Sequence, residues 1–192
     1  LFGVVLQRYA GMTPAVGQGR YRDYIEWLGQ RDQQASREFW TTALADLEEP
    51  TRLANAVSGG QRSASGYADH EHVFSEQLTI DLNRFAREQK VTLNTLVQAA
   101  WLVLLQRYTG QDNIAFGATV AGRPTDLPGV EQQIGLFINT LPVVAAPSAD
   151  IVVSQWLQQV QSLNLALREH EHTPLFDIQR WAGAGNGALF DS

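Results

Sequence analysis

Asn-Ile-Ala-Phe-Gly-Ala-Thr-Val-Ala-Gly, residues 113–122, reads as a β-strand that is apolar on both faces. Such a strand must be covered on both sides, which predicts a central strand in a sheet backed by helices. A second strand is predicted at Ile-Asn-Thr-Leu-Pro-Val-Val-Ala-Ala, residues 138–146. Pro142 has no N–H to give a ladder, so this strand belongs near an edge or a bulge.

Working outward, Thr92 is a plausible N-cap for a helix to about Tyr108, ended by Gly110. Its apolar spacing points Leu93, Leu96, Val97, Ala100, Leu104 and Tyr108 inward. Downstream, Asp150 is predicted to cap a helix over 151–169 with Val153, Trp156, Leu157, Val160, Leu163 and Leu167 inward. A short helix follows Pro174. Further helices are predicted over 1–10, 20–30 (Tyr21, Tyr24, Ile25 and Leu28 on one face), 33–47 (Phe39, Trp40, Leu44 and Leu47 inward) and 80–89. A weakly alternating strand is predicted over 67–77. Loops fall at 11–19, 58–66 and 122–129, where Gly, Pro and Ser gather. Strands alternating with helices predict an α/β layered domain.

The 192 residues suffice for one core or for part of a larger domain. Net charge is −6 and the 14 basic residues are scattered. No basic face therefore points to nucleic acid or to a membrane surface. There is no cysteine, which excludes disulfide and thiolate chemistry and makes a reducing cytoplasmic setting the expectation. The most apolar stretch, 91–105, is interrupted by Thr, Asn and Gln and falls short of the roughly 20 apolar residues of a membrane helix. The chain opens inside an apolar run and closes at Gly-Ala-Leu-Phe-Asp-Ser, so both ends are expected to be cut from something longer.

Few residues carry an obvious chemistry. His70-Glu71-His72 and His170-Glu171-His172 are identical triplets. Histidines two apart on a strand share a face and can bind a metal. The plainer reading puts the first triplet on a solvated strand and the second at a helix end, where cations favour the dipole. Gly183, Gly185 and Gly187 read as a turn, because they lack phosphate-loop spacing. No G-x-S-x-G occurs, and no carboxylate pair is placed for acid–base work by sequence alone. Arg123 is either a loop arginine satisfying carbonyls or a charged anchor at a cleft rim. Asn139 interrupts the apolar Ile134–Pro142 stretch. Left unpaired in a core, its amide would cost about 1–3 kcal/mol. It either bonds neighbouring backbone or lines a cavity and meets a ligand.

Four stretches together carry a resemblance: 21–28 (YRDYIEWL), 113–124 (NIAFGATVAGRP), 134–142 (IGLFINTLP) and 170–183 (HEHTPLFDIQRWAG). In order and separation they resemble core motifs of nonribosomal peptide synthetase condensation domains, across essentially the whole chain. The resemblance implies a chloramphenicol acetyltransferase-like fold, two α/β lobes meeting in a V around a tunnel. It implies donor and acceptor carrier proteins, whose phosphopantetheine arms bring thioesters to that tunnel, and an adjacent adenylation domain. The acceptor amine attacks the donor thioester, giving an amide.

The family's H-H-x-x-x-D-G motif is not in this sequence, so no catalytic residue is assigned here; His70, His72, His170 and His172 are not its counterparts. Residues 1–19 are expected to be the end of an N-terminal lobe and a linker. Residues 20–192 are expected to be a truncated C-terminal lobe, an incomplete two-layer sandwich. Asn139, Thr140, Gly135 and Arg123 are the candidates for the substrate tunnel or lobe junction. No bound cofactor or metal, no nucleic acid and no membrane are expected. The piece alone is expected to be inactive; the alternative is a noncatalytic module that docks carrier proteins or a synthetase domain. The motifs fit an amide-forming domain better than an epimerizing or heterocyclizing one.

Overall fold

The computed structural model describes residues 2–13, 19–58, 70–183 and 187–192. Strands β1 (Ile114–Val120) and β2 (Asn139–Ala145) form an antiparallel ladder with Gly117 opposite Pro142. The N–H of Ala115 donates to Thr51 Oγ1 at 2.8 Å and that of Gly117 to the Ser192 carbonyl at 2.9 Å. Both donors therefore point away from β2. Bonding direction alternates along such a ladder, so Pro142 falls at a pair that needs no N–H. On the same outer side of β2, the Thr140 N–H is taken by Asn139 Oδ1 at 2.9 Å. The edge expected from Pro142 is thus blunted by a proline and an amide.

The helices are α1 (Phe2–Tyr9), α2 (Tyr21–Gly29), α3 (Gln33–Ala43), α4 (Leu53–Ser58), α5 (Glu76–Glu88), α6 (Leu93–Thr109), α7 (Val153–Glu169) and α8 (Leu175–Trp181). Helices α6, α7 and α8 contact the sheet, which gives the helix-on-sheet layering expected. Thr92 accepts the Thr95 N–H at 3.0 Å, and Gly110 ends α6 in the left-handed region.

The inward face of α6 differs from the sequence reading. Thr95, Ala99, Leu102 and Leu105 are buried, whereas Leu93, Val97, Leu104 and Tyr108 are exposed. The helix is apolar on several sides, so its period cannot choose one. Cross-links to α7 choose it. The Thr95 hydroxyl donates to Gln161 Oε1 at 2.7 Å, and Trp156 Nε1 donates to the Ala99 carbonyl at 3.2 Å.

Other expectations change as well. Asp150 does not cap α7: Val152 holds the N-cap, and the Asp150 N–H donates to Ser148 Oγ. Val153 and Ile25 are exposed rather than inward. No strand occupies residues 70–75 of the predicted 67–77 segment, whose first three residues lie outside those described. Ser75 instead accepts the Leu78 N–H at 3.2 Å and starts α5. Helix α4 was not expected. Its leading N–H groups, from Leu53 and Ala54, donate to the Asp191 carboxylate at 2.8 and 3.1 Å. Every described residue of α1 is exposed.

The main core joins both layers: Trp40, Leu102, Ile114, Leu141, Val143 and Ile178 are almost completely buried. A second, smaller cluster, Tyr24, Val130 and Phe137, lies under the connection between the strands.

Candidate functional site

The β1–β2 connection is built on close approaches. Gly122 has φ +59°, and a Cβ there would lie 2.0 Å from the Phe137 carbonyl oxygen. Left-handed backbone favours glycine, and the contact leaves no room for any side chain. A Cβ on Gly135 would lie 2.0 Å from the Tyr21 ring, whose hydroxyl donates to the Leu136 carbonyl at 2.9 Å. These approaches hold Phe137 against Tyr24, with ring centroids 4.6 Å apart.

Arg123 closes the connection. Its Nη1 donates to the carbonyls of Val130 and Gln133, and its guanidinium lies 4.1 Å from the Phe137 ring centroid. A planar cation with several donors suits this double task.

Asn139 ties in the far side. Its Nδ2 donates to the Glu171 carbonyl at 2.9 Å and to the Thr173 carbonyl at 2.7 Å. Both amide donors are therefore committed to the segment after α7. That segment turns His170 and His172 onto one hydroxyl: Ser36 Oγ lies 3.3 Å from His172 Nε2 and 3.4 Å from His170 Nδ1. His170 also stacks on Phe39, and His172 meets Trp27 edge-on. Trp27 donates to Asp126 at 3.0 Å and carries the Arg31 guanidinium over its ring.

Burial holds both imidazoles below their ordinary pKa. For His172, His170 and then Arg31 add to it; for His170, Glu169 opposes it. Burial also pushes Glu171 up, against Arg168, and Tyr24 up, with Tyr21 and Glu171 adding to that rise.

A cleft of about 880 Å³ opens between α6, α7, the end of β1 and residues 121–126. Arg31, Arg123, Gln161, Asn164, Glu171 and His172 are among its lining residues. Of the four sequence candidates, only Arg123 lines it. Asn139 acts on it at one remove, by fixing the segment that carries Glu171 and His172. Gly135 and Thr140 are placed elsewhere, beneath Tyr21 and beside Gly117 respectively.

His70 and His72 are exposed, away from any strand. The second triplet does follow a helix end, with His170 the C-cap of α7, and its rings are half-buried around Ser36. That convergence was missed, and only the aromatic richness of 21–40 hinted at a lined wall. Ser36 is 3% exposed, and its hydroxyl faces the two imidazoles. Among the described residues no group of three or more His, Cys, Asp or Glu could hold a metal, and no helix is long and apolar enough to cross a membrane.

The family model described as Condensation domain matches residues 1–191. A linear gramicidin synthase polypeptide of Brevibacillus parabrevis is 46% identical over 175 residues, covering 90% of this chain and 2% of that protein. Surfactin synthase subunit 3 of Bacillus subtilis (strain 168) is 38% identical over 164 residues, covering 84% of this chain and 13% of that protein. The chain thus spans a small fraction of the curated relatives it matches. In fold, the first condensation domain of the CDA synthetase superposes with a TM-score of 0.73 at 21% identity, over 96% of this chain and 41% of that one. The X-domain from teicoplanin biosynthesis gives 0.67 at 24% identity, over 95% and 42%.

Proposed function

The chain belongs to the condensation-domain family, and from that premise we propose that it supplies the C-terminal lobe of a domain that forms amide bonds between carrier-bound thioesters in nonribosomal peptide synthesis. The observation that supports the lobe assignment is the proportion just given: nearly all of this chain matches less than half of a condensation-domain structure. On this reading residues 1–19 end the N-terminal lobe and residues 20–192 form one wall of the tunnel. Its partners are the N-terminal lobe, donor and acceptor carrier proteins bearing phosphopantetheine, and an adenylation domain, in the cytoplasm.

The reaction joins an acceptor amine to a donor acyl carbon. A C–N bond forms, the C–S bond breaks, and the proton lost by the nitrogen is balanced by the one taken up by the released carrier thiol. The chain contains no H-H-x-x-x-D-G, so we assign it no proton-handling residue. Its contribution is shape. Arg123 pins the strand connection at the lobe junction. Asn139 fixes the segment bearing Glu171 and His172, with Thr140 and Gly135 setting the backbone around it.

The test is to mix the chain with loaded donor and acceptor carriers and to follow the amide product by mass spectrometry. No product is expected from the chain alone; turnover would overturn the reading. A second reading, a docking module without catalysis, draws support from the exposed Ile134, Leu136 and Ile138 and from the outward-facing apolar residues of α1. Titrating a loaded carrier into fluorescently labelled chain tests it: the docking reading requires saturable binding with the thioester unchanged, and no binding would overturn it.

A further inference from the structure

Resting on the reading of this chain as one wall of the reaction tunnel, we infer that Gln161 of α7 is a substrate-contacting residue of the 880 Å³ cleft. Its side-chain amide donates to a carbonyl oxygen of an uncharged, amide-bearing chain bound there.

The Gln161 amide is oriented from behind. Its Oε1 accepts from the Thr92 backbone N–H at 3.3 Å and from the Thr95 hydroxyl at 2.7 Å. A backbone N–H can only donate, so the amide atom that faces it is the oxygen. The Thr95 hydroxyl gives its one proton to that oxygen. The Thr92 hydroxyl, 2.8 Å from it, therefore donates to Thr95 in turn, while accepting the Thr95 N–H at 3.0 Å. The hydroxyl bonds run one way, from Thr92 through Thr95 to Gln161, and Thr95 at their centre is 1% exposed. Held in this sense, the amide keeps both of its N–H groups free. No described residue accepts from Nε2, and that nitrogen is not shielded from solvent.

The lining sets the ligand class. Two N–H donors call for an acceptor. Around Gln161, α6 and its cap give the cleft Thr92, Asn94 and Gln98, and α7 adds Asn164; none of these carries a charge. The charged lining residues come from other places: Arg31 from the α2–α3 connection, Arg123 and Asp126 from the β1–β2 connection, and the stretch from Arg168 onward. A wall of neutral amides and hydroxyls matches a neutral chain with amides of its own better than an ion. The volume falls within the roughly 300–1,000 Å³ of small-molecule sites, so such a chain has room. In the proposed reaction two sources carry amide carbonyls: the phosphopantetheine arm and the peptidyl chain it delivers.

The test uses the 192-residue chain, isotopically labelled, and follows the Gln161 side-chain amide signals by NMR. Pantetheine and, separately, N-acetyl-alanyl-alanine methylamide are titrated in. Saturable movement of those signals supports the contact: with pantetheine alone it identifies the carrier arm, with the peptide alone the delivered chain, and with both the amide they share. Gln161→Glu separates ligand contact from packing. A carboxylate still accepts from Thr92 and Thr95, both of which donate, but offers no N–H. This variant is expected to keep the wild-type melting temperature and to bind the responding probe about tenfold more weakly. Should it not fold, the wild-type signals, assigned through the backbone, decide alone. Gln161 signals that stay still, no saturation with either probe, or equal affinity in Gln161→Glu would overturn the inference. None of these readouts involves turnover, so a negative result leaves the lobe assignment standing, whereas turnover by the isolated chain would sink that assignment without moving Gln161.

Discussion

The core beneath the β1–β2 ladder and the small cluster around Phe137 are held by different physics. The first is a broad apolar contact in which Leu102, Ile114, Leu141 and Val160 are almost wholly buried. Side chains of similar volume can replace one another there at modest cost. The second buries only Tyr24, Val130 and Phe137. It depends on directed bonds and close approaches: Arg123 to two carbonyls, Asn139 to two more, and Gly122 against a carbonyl oxygen. The most recognisable motifs of the sequence fall in this second region, because each position there admits few residue types. The first region fixes stability; the second fixes shape at the cleft.

That contrast can be broken experimentally. Leu102→Ala should have the largest effect, about 2–5 kcal/mol in urea unfolding, from lost transfer energy and the cavity left behind. A loss below about 1 kcal/mol would mean the main core is not the chief source of stability. Gly122→Ala should cost about 3 kcal/mol, because a non-glycine residue at φ +59° is strained and its Cβ meets backbone. Equal stability would show that the connection is slack.

Asn139→Ala should cost about 2 kcal/mol, from two lost hydrogen bonds and two carbonyls left unpaired. It should also alter the cleft: His172, followed by NMR, should titrate nearer the ordinary imidazole range as its segment loosens. An unmoved His172 would separate Asn139 from the cleft.

The smallest effect expected is on pH dependence. His170 and His172 have folded pKa values below their unfolded ones. Their contribution is complete above the unfolded value, near 6.5, and is lost as pH falls from there through the folded values. Glu171, raised by burial, acts oppositely: stability is gained as pH falls through its folded value toward 4.5. Arg31, Arg168 and Glu169 are the charged neighbours that modulate these groups. The melting temperature should therefore drop just below about pH 6.5, and His172→Gln should flatten that drop. An unchanged slope would place the imidazoles in solvent.

How much of this was legible depended on where each signal comes from. Thr92 and Gly110 bracket α6 through bonds made within a few residues, so sequence sufficed. Pro142 marked an edge because a missing N–H is a local fact. The buried face of α6 was misjudged because Thr95 makes its deciding bond to Gln161, 66 positions away. The role of Asn139 stayed open until carbonyls 32 and 34 positions on were found against it. Likewise nothing near Ser36 announces two imidazoles from 134 and 136 residues downstream.

The same distance shapes how the chain assembles. Asp191 supplies the first-turn acceptor of α4 from 138 positions away, and Phe190 bridges Thr51 beside it. Bringing such remote segments together costs loop entropy before any contact rewards it. The junction is therefore expected to form late in folding, so Asp191→Ala should speed unfolding while leaving the folding rate nearly unchanged; slower folding in that variant would place the junction early.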